Sequence, residues 1–65
     1  MNDRMKTAVL RQLQTMYDDI QVGGAHIEYI QGKYEATRET LSWFGVGVEF
    51  DSYTKRPIGL VEGNQ

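Results

Sequence analysis

Apolar residues recur at helical spacing along two stretches of the chain, and a Gly23-Gly24 pair separates them. The second stretch has the cleaner stripe: Ile27, Ile30, Tyr34, Thr37, Leu41 and Phe44. Its steps alternate three and four, the period of a seam between packed helices. The first stripe is Met5, Val9, Leu13, Met16 and Ile20, widened by Leu10 and Tyr17. Asn2 or Asp3 is placed to cap that helix. The two glycines end it, because glycine takes the left-handed conformation that follows a helix without a Cβ clash. The spacing therefore predicts helices over 3–21 and 25–44. The short break turns the second back antiparallel to the first.

A second reading of 26–37 competes with the helix. His26 to Ile30 and Lys33 to Thr37 would be strands joined by a Gln31-Gly32 turn. It places Glu28 opposite Glu35, a like-charge pair, and Gln-Gly is poorer turn chemistry than Asn-Gly. The continuous helix is the expectation, with Gly32 on its outer face.

After Gly45 the period changes. Val46, Val48 and Phe50 alternate with Gly47 and Glu49, which predicts a strand over 46–50. Residues 51–57 are polar and turn-like, and 58–61 (Ile-Gly-Leu-Val) predict a return strand. Glu62 to Gln65 reads as a frayed tail. The fold class that follows is mainly α with a small β element: a helical hairpin, then a short β-hairpin, in one domain over 1–65.

Sixty-five residues bury little of their unfolded surface, so a lone core of this size is marginal. With no cysteine and one histidine, disulfides and thiolate or multi-histidine metal sites are excluded. Association with other chains is the remaining support, the alternative being an unusually well packed monomer. Nine acids against seven Lys and Arg give a net charge of −2, unlike the clustered basic footprint of a general nucleic-acid binder. No apolar run approaches the roughly 20 residues of a membrane helix, and the N-terminus lacks an apolar signal core. A cytoplasmic location is the expectation, and no cofactor, membrane or small-molecule substrate is implied.

Chemistry-bearing residues are sparse. His26 lies near Asp18 and Asp19 if the hairpin closes, and a carboxylate–histidine pair can orient a base. No nucleophile motif accompanies it, so the chain does not read as an enzyme. Asp18, Asp19, His26 and Glu28 could surround a hard cation, but their spacing matches no loop signature. Gly45-Val46-Gly47 follows a helix, the reverse of a phosphate cradle.

Two surfaces remain. The first is the second stripe together with the aromatic-rich segment after it: Ile27, Ile30, Tyr34, Leu41, Trp43, Phe44, Val46, Val48 and Phe50. Trp43 either covers the strand pair or anchors a contact between molecules. Met5, Leu10 and Met16 could offer an adaptable groove to a partner helix, but ordinary hairpin core is the preferred reading. The second surface is a basic-aromatic tip, Tyr53, Lys55 and Arg56. With Arg4, Lys6 and Arg11 it could touch phosphate and stack on a base.

The leading expectation is a non-enzymatic interaction or assembly protein that self-associates through its helical stripes, as a homo-oligomer. An accessory or inhibitor protein of the kind that phages and plasmids encode would suit this size. The alternative is a small nucleic-acid-associated regulator, which the acidic balance weighs against.

Overall fold

In the computed structural model, which describes residues 1–63, two helices are followed by a two-stranded antiparallel sheet. Helix α1 spans Asp3–Val22, α2 spans Ile27–Trp43, β1 spans Val46–Phe50 and β2 spans Pro57–Glu62. Residues 27–37 lie inside α2, so the strand-turn-strand reading of that stretch is set aside.

Each boundary has a local cause. The Asn2 side chain accepts from the Met5 N–H at 2.8 Å and caps α1. Gly23 ends α1 one residue later than expected, with φ +83° and its N–H on the Asp19 and Ile20 carbonyls. α2 starts at Ile27, not at 25: a turn through Ala25 and His26 follows Gly24, whose φ is +135°. At the other end Phe44 falls outside the helix. Its N–H closes on the Leu41 carbonyl, and Gly45 then reverses the chain at φ +76°.

The sheet register pairs Val46 with Glu62, Val48 with Leu60 and Phe50 with Pro57, with an irregularity after Glu49. β2 therefore begins one residue earlier and ends one later than the expected 58–61. Glu62 is a paired strand residue, not part of a frayed tail. It accepts from the amino terminus at 2.7 Å and lies 3.4 Å from Lys6. The rest of the expected tail, Asn64 and Gln65, lies outside the described residues.

The core is small. Leu13 has no exposed surface, and Tyr34, Leu41 and Val46 close around it. Val9, Met16, Tyr17, Ile20, Val48, Phe50 and Leu60 pack on that cluster while half-buried. One helical stripe thus meets the other inside the chain, and the sheet lies on the face where both continue. Met5, expected in the first stripe, is 52% exposed. It sits in the first turn of α1, N-terminal to the residues that pack on the cluster.

Side chains of α1 hold down the start of β2 and the loop that leads into it. Gln14 donates to the Pro57 carbonyl at 3.0 Å. Tyr17 donates to the Thr54 carbonyl. Asp18 takes both ends of the Arg56 guanidinium, at 3.0 and 2.9 Å.

Three substitutions test this account. Leu13→Ala should cost about 2–5 kcal/mol, much of the roughly 3–10 kcal/mol a chain of this length can hold. Urea unfolding followed by circular dichroism would measure it, and a loss under about 1 kcal/mol would contradict the central place given to Leu13. The glycine inside α2 and the one just after it should respond in opposite directions. Gly45→Ala forces a side chain into the left-handed region and should destabilise by about 1–2 kcal/mol. A Cβ at Gly32 meets nothing within 4 Å, so Gly32→Ala should stabilise by about 1 kcal/mol.

Candidate interaction surface

The hairpin has two unlike faces. On α1, Leu13, Gln14, Tyr17 and Asp18 point to the sheet side, where they meet the core or β2. At 100° per residue the side of α1 opposite Leu13 carries Arg4, Ala8, Arg11, Thr15, Asp19 and Val22, with Asp18 at its margin. All six are exposed. On α2, Tyr34, Arg38 and Leu41 turn to the core and sheet. The opposite side carries Tyr29, Lys33, Ala36, Thr40 and Trp43, again all exposed. Between these two stripes runs an open groove of about 540 Å³, floored by Met16 and Ile30 and rimmed by Arg11, Asp19 and Lys33.

The residues singled out from the sequence divide among these places. Tyr34, Leu41 and Val46 are buried within the chain, and Ile27, Ile30, Val48 and Phe50 are half-buried. Trp43 and Phe44 are 73% and 78% exposed. Trp43 therefore does not cover the strand pair, and Phe44 does not complete the helical stripe. The reason is Gly45: the chain turns so sharply after α2 that Val46, at 3% exposure, fills the end of the core instead. Phe50 does not join Trp43 in one exposed patch either. The Arg38 guanidinium stacks on its ring at 4.8 Å and reaches the Tyr34 ring at 5.7 Å. Burial pushes the Tyr34 phenol above its ordinary value, and the Arg38 charge opposes that shift.

The basic-aromatic tip comes apart. Tyr53 is 94% exposed. Arg56 is committed to Asp18, and the Lys55 ammonium bonds back to the Ser52 carbonyl at 3.2 Å. The loop is held by the Asp51 carboxylate, which accepts from the Tyr53 and Thr54 N–H groups. The pairing of Arg56 with Asp18, 38 positions away, is the contact that sequence reading missed. Two opposite charges far apart in a chain carry no local signal of meeting.

The acidic cluster near the helical turn does not assemble. Asp18 faces Arg56, while Asp19 lines the groove on the other side of α1. His26 stands at the start of α2 and makes no side-chain capping bond. Among the described residues, no group of three or more His, Asp or Glu side chains comes together around a metal position. No helix among them is long and apolar enough to cross a membrane.

Three carboxyls are held below the ordinary range near 4. Asp18 is lowered chiefly by its hydrogen bond from Arg56, Asp51 by the Thr54 and Tyr53 amides, and Glu62 by the amino terminus and Lys6. Each therefore binds a proton more weakly when folded than when unfolded. Their contribution is complete above the unfolded value and lost as pH falls through the lowered folded values. The melting temperature should be level from about pH 7 to 5 and fall below about pH 4. Asp18→Asn should lower it at neutral pH and make the acid limb shallower. An unchanged acid limb in that variant would rule out the Asp18–Arg56 contribution.

Against this geometry, no family model, no curated protein and no solved structure matches the chain.

Proposed function

We propose that this chain is a non-enzymatic interaction protein that works by self-association. The observation that carries the reading is the bare helical face opposite the sheet. A two-layer unit of this kind normally covers both stripes of a helix pair or leaves the outer one fully polar. Here the outer face has an apolar-floored groove and ends in Tyr29 on one side and Trp43 on the other. Trp and Tyr are the side chains that most often anchor contacts between proteins. The inner stripe, with Leu13, Tyr34 and Leu41, is already buried in the chain's own core. Self-association thus falls to the outer stripes of the same two helices.

The groove holds no convergent set of acid, base and nucleophile, which supports an interaction role over a catalytic one. The pairing of Arg56 with Asp18 removes one of the few cations that the alternative, contact with nucleic acid, would use.

Light scattering from about 1 μM to about 1 mM tests the reading. The expected mass is about 15 kDa, twice the 7.5 kDa chain, or a higher multiple. Trp43→Asp should shift the transition to higher concentration while leaving the helical circular dichroism unchanged. A strictly monomeric protein up to about 1 mM ends the proposal.

A further inference from the structure

The outer stripe of α1 is self-complementary about one residue. Arg11 and Asp19 each lie four positions from Thr15, and Ala8 and Val22 each lie seven. Reversing the stripe about Thr15 exchanges the acid with the base and one apolar residue with the other. We propose, resting on self-association as the function, that two copies meet α1 to α1, antiparallel, across a two-fold axis at Thr15. In that register Arg11 of each copy faces Asp19 of the other, twice. Ala8 faces Val22 twice, and the two Thr15 side chains lie on the axis.

Four observations support it. Arg11 and Asp19 are exposed, line the same groove, and form no ion pair among the described residues. Eight positions separate them, about 12 Å along the helix at 1.5 Å per residue, so they cannot satisfy each other within one chain. A second copy supplies the missing partner to both. A parallel arrangement in register would instead set Arg11 on Arg11 and Asp19 on Asp19, like charges at contact distance.

Second, Ala8 and Thr15 are small enough for the helix axes to approach to about 8 Å, the close end of helix packing. Third, the chain exposes 4931 Å², whereas a compact monomer of this mass exposes about 4,200 Å². Fourth, the alternative of joining through the sheet meets an obstacle at the start of each strand. Pro57 has no N–H and its carbonyl is taken by Gln14, while Val46, at the start of β1, is 3% exposed. The resulting assembly is a four-helix layer with a sheet on each outer side.

A charge swap tests the register. Arg11→Asp should weaken the dimer about tenfold or more by replacing two attractions with two repulsions, and Asp19→Arg should do the same. The double variant R11D/D19R restores the pairing in reverse and should return to within about threefold of the original. The difference between single and double variants should shrink near 1 M salt, where screening acts within about 3 Å. Separately, Thr15→Cys, in a chain with no other cysteine, should oxidise to a covalent dimer. Glu39→Cys, placed off the stripe, should not. A dimer that is indifferent to the single swaps, or that is not recovered by the double swap, overturns this register while leaving self-association standing. A dimer that persists while T15C fails to cross-link does so as well. A chain monomeric throughout overturns both.

Discussion

Burial of Leu13 is the constraint on which the rest of the structure depends. Its side chain has no exposed surface and touches the territory of α1, α2 and the sheet at once. With Tyr34, Leu41 and Val46 it forms a cluster of four buried residues, the one such cluster among the described residues to hold the helices together. A chain of this length has few ways to enlarge such a core. What it does is add directed polar contacts around it. Gln14 to Pro57, Tyr17 to Thr54 and Asp18 to Arg56 all run from the middle of α1 to the β2 side of the hairpin. These bonds align the sheet on one face of the helices and leave the other face without a layer.

That asymmetry is where structure and proposed function join. The inner stripe cannot serve two ends at once, because a Tyr34 or Leu41 that turned outward would leave Leu13 uncovered. On the proposed function, interaction with a second copy would fall to side chains that the core does not need: Arg11, Thr15 and Asp19 on α1, Tyr29 and Trp43 on α2. Such a division separates stability from recognition. On that proposal, exchanges on the outer stripes would act on association with little effect on folding, while exchanges on the inner stripe would act on folding.

The helices, the glycine breaks and the strand pair could be read from the sequence because each is written locally. The three-four spacing through Tyr34 and Leu41, the Gly23-Gly24 stop and the alternation at Val46, Val48 and Phe50 all express periods of the backbone itself. The errors came where a backbone turn redirected a side chain. Periodicity extends the second stripe to Phe44, but the left-handed step at Gly45 takes Phe44 out of the helix and gives its place to Val46. Glu62 looked like the start of a tail because its partners, the amino terminus and Lys6, stand at the far end of the chain. Arg56 looked free for the same reason. As for the outer face, its residues were visible one by one, yet their grouping was not. Only the placement of the sheet says which side of α1 is left open.

The closing of β2 at Pro57 has a consequence of its own for the sheet. Two short strands with alternating apolar residues are the kind of template on which further strands stack. Growth into a fibre needs an acceptor edge on each side of every added unit. Proline removes the donor at the start of β2, and Gln14 takes up the acceptor. The same hydrogen bond that seats the sheet on the helices therefore also takes up the acceptor at the first position of β2, where proline already lacks a donor for a further strand.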